Sequence, residues 1–466
     1  MESSSMTKVS VIIPIYNGAR YLRESLDSVI QQSLDDIEII CVDDASTDLT
    51  PVILKEYSKT FSKMKIITNT ENCGAGISRN RGLNYAEGKY VIFLDADDIF
   101  EKDMLVQAFH RIEKYDADIC VFNEDRFTYN IVNRMKYDYP RMYWNKLEKM
   151  GVFSPESIKD IIFNIWNGWP WDKLFRRSFV LDNKLHFQEI KSSEDGLFVH
   201  GALSVAEKIT CIDKIYVHHR EGVTTSLSNQ RDDSWECCCS YLKALKSYLD
   251  DHGNFIKYKK SFINWAADFL YWNYWSLNGK NREKLFYLLK DNVLKDLEIL
   301  GYARTEFYND FYYWFAHGID KCDTYEDCRI PVKGIHRWEE MMCHNMKKIE
   351  VLFRFLKAHS YRTAVWHAGE RGKIFLEKYD QKGDIIKVYD EDDKKAGKSF
   401  AGRYPIEPFH SLTCRNIDFI IVTNRNFFDT IAKKIKEENV DIFVFNLDLY
   451  LTSFRAFPIT FEACIL

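Results

Sequence analysis

The stretch Tyr90-Val-Ile-Phe-Leu-Asp-Ala-Asp-Asp98 decides how this chain is read. Tyr90 to Leu94 is a short apolar run, the pattern of a buried strand. Three carboxylates, Asp95, Asp97 and Asp98, follow where such a strand leaves the core. Like charges side by side repel unless a cation or solvent screens them. Carboxylate oxygens suit a hard divalent cation such as Mg²⁺ or Mn²⁺, which keeps waters and takes substrate phosphates at its other positions. The competing explanation is a solvated acidic turn before a helix starting near Lys102. The upstream sequence weighs against it.

Strand and helix alternate through the first hundred residues. Val9 to Ile13 predicts a strand, and residues 19 to 32 carry Tyr21, Leu22, Ser25, Leu26, Val29 and Ile30 at helical spacing. Ile37 to Val42 predicts the second strand and ends in Asp43 and Asp44. Ser46, Thr47 and Asp48 are cap candidates for a helix through Tyr57. Lys65 to Thr68 and Gly74 to Ala86 predict a third strand and helix. The acidic strand comes fourth, and Ile119 to Asn123 fifth. Such alternation implies a mostly parallel sheet with helices on both faces, and its ligands lie outside the carboxyl ends of the strands.

That rule gives the polar residues one address. Pro14, Tyr16 and Asn17 follow the first strand, Asp43 and Asp44 the second, and Asp95 to Asp98 the fourth. Arg79 sits early in the third helix, behind Asn72, Gly74 and Gly76. An aromatic ring, an acceptor carboxylate, a cation and an acidic metal site would share one crevice, as a nucleotide diphosphate requires. Each residue alone has a bland explanation; their joint placement carries the weight.

The segments Val11-Ile-Ile-Pro-Ile-Tyr-Asn17, Cys41-Val-Asp-Asp-Ala-Ser-Thr-Asp48, Asn72-Cys-Gly-Ala-Gly-Ile-Ser-Arg-Asn-Arg-Gly82 and Phe93-Leu-Asp-Ala-Asp-Asp98 resemble family 2 glycosyltransferases of the GT-A fold. The resemblance covers roughly residues 8 to 228. It implies inverting transfer of a sugar from a nucleotide sugar, most often a UDP-sugar, to an acceptor hydroxyl in glycan or surface polysaccharide synthesis. Carried over by position, it makes Asp44 the carboxylate reading uracil, with Pro14 and Tyr16 as its wall and Asp43 in support. Asn17, Asn72, Arg79 and Ala96 join the nucleotide-sugar site. Asp95 becomes the ribose-side acid and Asp97 the metal ligand for Mn²⁺ or Mg²⁺, with Asp98 a substitute for either.

Ser192-Ser-Glu-Asp-Gly-Leu-Phe198 resembles the family's E-D motif, which implies Asp195 as general base and Glu194 as its neighbour or an acceptor contact. A sugar hydroxyl is a poor nucleophile, and a carboxylate in reach that takes its proton is worth about 10²–10⁴ in rate. The same residues also suit an ordinary helix start, with Ser193 as cap. Trp169-Pro-Trp-Asp-Lys-Leu-Phe-Arg-Arg177 resembles the segment before that motif, so Trp171 and Lys173 are expected along the cleft, with packing the alternative for Trp171. In Ile215-Tyr-Val-His-His-Arg-Glu-Gly222, Arg220 is a candidate diphosphate contact and His219, or else His218, a candidate metal ligand. A structural His pair is the alternative.

Composition bounds the rest. A chain of 466 residues supports two or three domains, and 64 basic against 69 acidic residues gives no pointer to nucleic acid. The twelve cysteines include Cys237-Cys238-Cys239 but no paired C-x-x-C spacing. They read as reduced thiols in a cytoplasmic protein. No apolar run approaches the ~20 residues that span a bilayer. A glycan or a lipid-linked acceptor, peripheral association at the inner face of the membrane, and a homo-oligomer stay open. The expected domains are a GT-A domain over 1–228, a helical aromatic-rich region over 229–350 and a Rossmann-like α/β domain over 351–466. In the last, Thr363 to His367 leads into Gly369 and Gly372, with His367 where the dinucleotide fingerprint has its first glycine and Asp390 where a ribose-binding acid would sit. A structural or regulatory module is favoured there over nucleotide binding. Competing functions are a sugar nucleotidyltransferase, a non-catalytic nucleotide-binding scaffold, and an oxidoreductase acting through the tail.

Overall fold

Four apolar runs of the N-terminal region become parallel strands: β1 (Val9–Ile15), β2 (Ile37–Asp43), β3 (Met64–Thr68) and β4 (Tyr90–Phe93). They lie in the order β3-β2-β1-β4, with Ile12 opposite both Ile40 and Phe93. The computed structural model describes residues 7–127, 134–136, 147–220, 231–308, 310–326, 328, 346–358, 360–366, 369–380, 385–390, 392–408, 417–423, 431, 435 and 442–447. The chain divides into two compact units, residues 1–302 and 303–466. This boundary falls inside the span 229–350 that the sequence sets apart, so the first helices of that span belong to the N-terminal unit.

The strands β1, β2 and β4 are almost wholly buried, as expected where both faces are covered and the residue pattern is continuous rather than alternating. The crossovers are α1 (Leu22–Ile30), α2 (Thr50–Thr60) and α3 (Ala75–Asn84). Helix α3 packs so closely on β1 that a Cβ on Gly82 would lie 2.4 Å from Ile12 Cγ2. Only glycine permits that approach.

Beyond β4 come β5 (Ile99–Phe100), α4 (Met104–Tyr115), β6 (Ile119–Phe127), β7 (Arg134–Lys136), β8 (Val152–Phe153), β9 (Lys173–Arg176), α5 (Arg177–Asp182), α6 (Glu194–Val205) and β10 (Ile209–Arg220). The main path of the sheet is β3-β2-β1-β4-β9-β6-β10-β5. Strand β9 runs antiparallel between β4 and β6, an insertion that periodicity does not reveal because Lys173 makes it look polar. Helix α6 is buried on nearly every side, including Gly196, Phe198, His200 and Ala202. Its residues are accordingly apolar all round rather than amphipathic. Helices α7 (Cys237–Asp251), α8 (Phe255–Ser276) and α9 (Gly279–Leu288) follow in the same unit. Among the described residues no helix is long and apolar enough to cross a membrane.

The second unit holds α10 (Asp310–Lys321), α11 (Met346–Ala358), β11 (Thr363–Trp366), α12 (Glu370–Tyr379), β12 (Ile385–Asp390), β13 (Ser399–Phe400), β14 (Tyr404–Pro408), β15 (Phe419–Val422) and β16 (Phe443–Asn446). Its sheet order is β13-β14-β12-β11-β15-β16, parallel except for the edge strand β13. Val365, Val388, Ile421 and Phe445 form one core with α11 and α12, while Trp366, Tyr389, Ile420 and Val444 form another. This is the second α/β layer that the sequence predicts. His367 lies outside the described residues.

Candidate active site

The carboxyl ends of the parallel strands gather the acids and amides. After β1, Asn17 adopts a left-handed φ of 49°. Its Oδ1 accepts from Thr47 N at 2.8 Å, and its own N–H donates to Ser46 Oγ at 2.9 Å. The loops after β1 and β2 are thereby clamped together. Asp43 is buried and accepts from Ser46 N at 3.1 Å. Asp44, also buried, accepts from Asn69 Nδ2 at 2.6 Å, Cys73 N at 2.9 Å and Gly74 N at 2.7 Å. Its first task is to shape the loop that enters α3. Asn69, which sequence reading passes over, is held in turn by Arg81 at 2.5 Å. Tyr16 stands 52% exposed beside this loop system, with Pro14 at the end of β1 and Asn72 exposed. A flat ring open to solvent is available there to cover a base.

Arg79 joins the two acidic motifs. Its Nη2 donates to Asp95 Oδ1 at 2.7 Å and its Nη1 to Glu194 Oε1 at 2.8 Å, and the guanidinium lies 5.2 Å over the Phe187 ring. Its buried Nε has no acceptor. Residues about a hundred positions apart thus meet through one side chain. Helix α3 also abuts the segment before α6: a Cβ on Gly76 would sit 2.6 Å from the Gln188 carbonyl. Ser193 enters α6 with a left-handed φ of 63° and makes no side-chain cap. The expectation of a Ser193 cap is corrected, because the backbone turn that presents Glu194 and Asp195 leaves the hydroxyl away from the helix N–H groups.

Crowded carboxylates set the electrostatics. Burial, with Glu194 and Asp95 nearby, pushes Asp195 up to about 8 against the pull of Arg79. Burial and the charges of Asp98 and Asp95 push Asp97 up to about 7. A divalent cation would relieve that repulsion. The candidate ligands are not equivalent, however. Both oxygens of Asp98 lie 3.0 Å from His219 Nδ1, and Asp98 Oδ1 also accepts from Arg220 N at 2.9 Å. His219, despite burial, is raised to about 9 by Asp98, Asp95 and Asp97. Among the described residues no group of three or more His, Cys, Asp or Glu side chains is arranged to hold a metal. Asp98 and His219, both expected as ligands, hold each other in this arrangement. Asp97 takes no side-chain donor among the described residues, and Asp95 has an oxygen beyond the one facing Arg79. Those two fit a cation that draws its remaining ligands from water and phosphate.

Four further candidate residues are held by their neighbours in the fold. Lys173 is fully buried, and its Nζ donates to Asn167 O at 3.0 Å, Trp169 O at 2.9 Å and Asp172 Oδ1 at 2.5 Å. All three donors are used, so it locks the Trp169–Trp171 loop instead of lining the cleft. Arg220 donates to Asp97 O at 2.9 Å and Glu24 Oε2 at 2.7 Å, between the rings of Tyr21 and Phe127. It braces the acidic loop from behind. His218 is closed between Asp125 at 2.5 Å and Glu101 at 2.9 Å. Trp171 is buried and stacks on His219 at 5.2 Å and on Trp169 at 4.8 Å, which makes it packing around the site. Sequence reading also misses the set formed by buried His200 and Tyr241 with half-buried Trp265, since helix–helix hydrogen bonds leave no short-range signal.

Comparison with known proteins bears directly on this cleft. Residues 10–181 match the family model described as glycosyl transferase family 2. These residues form a family 2 glycosyltransferase domain. Residues 359–442 match a different family model, described as C2185-like, N-terminal. EpsH of Bacillus subtilis is 28% identical over 285 residues, covering 59% of this chain and 80% of EpsH. Glycosyltransferase GlyA of Streptococcus pneumoniae is 34% identical over 237 residues, covering 49% of this chain and 32% of GlyA. The poly(ribitol-phosphate) beta-glucosyltransferase of Bacillus spizizenii is 28% identical over 270 residues, covering 56% of this chain and 40% of that relative. The match thus spans less than half of the last two relatives' length. A solved structure, TarS residues 1–349 from Staphylococcus aureus with UDP, aligns at 24% identity with a TM-score of 0.42, over 63% of this chain and 90% of that one.

Proposed function

We propose that this glycosyltransferase moves a sugar from a UDP-sugar to an acceptor hydroxyl with inversion, assisted by Mn²⁺ or Mg²⁺, in the assembly of a surface glycan. One observation carries the reading: Arg79 ties Asp95 at the end of the fourth strand to Glu194 beside Asp195, at 2.7 and 2.8 Å. A donor-side acid and a candidate base thereby face one cleft. Tyr16 covers the base, while the Asn17 and Asp44 loops shape its seat. Asp97 and Asp95 would hold the cation, which when bound would neutralise charge developing on the leaving diphosphate.

Asp195 takes the acceptor hydroxyl's proton as that oxygen bonds the sugar's anomeric carbon from the face opposite the diphosphate. The bond to the diphosphate oxygen breaks with its electron pair, so one displacement inverts the centre. A base raised to about 8 is better matched to this task than an ordinary aspartate. The acceptor is a glycan or a lipid-linked chain; the poly(ribitol-phosphate) relative supports a surface polymer. The second sheet, by its strand order, is proposed as a Rossmann-like module with a structural or regulatory role. Asp390 there pairs with Lys395 at 3.0 Å and accepts from Asp392 N at 2.9 Å, which favours that role over ribose binding.

Calorimetric titration with UDP tests the donor side: affinity should be higher with Mn²⁺ than with EDTA. GDP or CMP binding better than UDP would reassign the base pocket. Asp195→Asn should keep UDP affinity and lose about 10²–10⁴ in transfer rate. Transfer near the wild-type rate would place the base elsewhere.

A further inference from the structure

The helices that follow residue 230 are built onto the helix that carries Asp195. Tyr241 of α7 lies against Gly196, where an added Cβ would meet its ring at 2.6 Å. The Tyr241 hydroxyl donates to His200 Nδ1 at 2.5 Å and accepts the indole N–H of Trp265 at 2.8 Å. Three helices are thus pinned around one buried oxygen. Ser192 Oγ donates to Ser234 Oγ at 2.9 Å, which ties the 3₁₀ turn Arg231–Ser234 to the loop just before the E-D pair.

Arg231 stands on this scaffold. Its guanidinium lies 3.6 Å from the centre of the Trp272 ring and donates from Nη1 to Asn273 Oδ1 at 3.2 Å. Trp272 is 46% exposed, so the stack is at the solvent-facing rim rather than in the core. Asp195 acts on this charge, yet burial outweighs the nearby groups and brings Arg231 down to about 10. A flat, partly desolvated guanidinium recognises phosphate or carboxylate geometry, and an arriving anion offsets what burial takes from it. The donor residues Asp95 and Asp97 lie on the loop after β4, and Arg79 on α3. The turn that carries Arg231 is tied instead to the loop just before Asp195, on the helical side.

Resting on Asp195 as the base, we propose that Arg231, backed by Trp272, is a specificity contact for an acceptor carrying a phosphate or carboxylate near its reacting hydroxyl. NMR titration of the UDP-loaded full-length protein with glucose, glucose 6-phosphate and glucuronate tests this. Wild type should bind the anionic sugars about tenfold tighter than glucose, the size of one charge-assisted hydrogen bond. The tighter of the two tells which anion the acceptor carries. Arg231→Gln should lose the preference, and Arg231→Lys should keep part of it. Equal affinity for all three sugars in wild type, or an intact preference in Arg231→Gln, overturns the proposal. So does an equal loss of UDP affinity in Arg231→Gln, which would assign the charge to the donor. If thermal melting shows that Arg231→Gln does not fold, Trp272→Leu keeps the charge and removes its support. Its preference should fall, and an unchanged one overturns the proposal as well. Asp195→Asn separates the two readings: retained transfer there would remove the base assignment while the anion preference in binding persisted.

Discussion

Replacing Arg79 by methionine should be among the costliest changes in the N-terminal unit, and its cost should grow with pH. Arg79 is 4% exposed and Glu194 6%, so water screens their 2.8 Å pair poorly. Asp95 keeps 29% of its side-chain exposure, so that half of the bridge is partly solvated and loses less. Removing this cation from its buried acid partners costs about 3–5 kcal/mol. The pH sign follows from Asp195. Its pKa is about 8 folded against 3.8 for an ordinary aspartate, so between these values the folded chain holds a proton that the unfolded chain has released. Stability contributed by that proton is full below about 4 and is lost as pH rises towards 8. Arg79 pulls this pKa down; without it, more acid must stay protonated and the penalty at high pH increases. Urea unfolding of wild type and Arg79→Met at pH 5.5 and pH 8 measures both effects. The expected loss is about 3–5 kcal/mol at pH 8 and clearly less at pH 5.5. A loss under about 1 kcal/mol at both pH values, the level of an exposed pair, would refute the view that this residue joins the motifs. A loss larger at pH 5.5 would refute the assigned sign.

Asp97→Ala should abolish the difference in UDP affinity between Mn²⁺ and EDTA, whereas Asp98→Asn should lower thermal stability by loosening the His219 and Arg220 contacts; calorimetry and melting curves separate the two acids. Gly196→Ala should cost about 1–3 kcal/mol by overpacking against Tyr241, with Tyr241→Leu partly restoring stability in a double-mutant cycle. A chain of residues 1–302, the first compact unit, should bind UDP with affinity close to that of the full chain, and a well-folded fragment blind to UDP would mean that both units build the site. Transfer at saturating donor should rise with pH towards about 8 as Asp195 ionises, and that rise should be absent from any residual activity of Asp195→Asn.

What the amino-acid order alone determines here is the framework and the address of the chemistry. Continuous apolar runs such as Val9–Ile13 and Tyr90–Leu94 can be satisfied only as strands covered on both faces, and Asp43, Asp44, Asp95 and Asp97 then emerge at the strand ends. Local physics suffices for that step, because periodicity and burial are properties of short segments. The task of each side chain is decided by partners distant in sequence. Lys173 looks like a cleft residue and Arg220 like a diphosphate contact, yet Lys173 is held by Asn167 O, Trp169 O and Asp172, and Arg220 by Asp97 O and Glu24. His219 looks like a metal ligand, yet its Nδ1 faces both oxygens of the buried Asp98. Strand β9 runs antiparallel to β4 and β6, and its buried Lys173 finds three acceptors; neither fact has a periodic signature. Arg79 joins Asp95 to Glu194 only after α3 has packed on the sheet through Gly76 and Gly82. Hydrogen bonds and ion pairs depend on ångström distances between residues a hundred positions apart, and only the tertiary structure sets those distances.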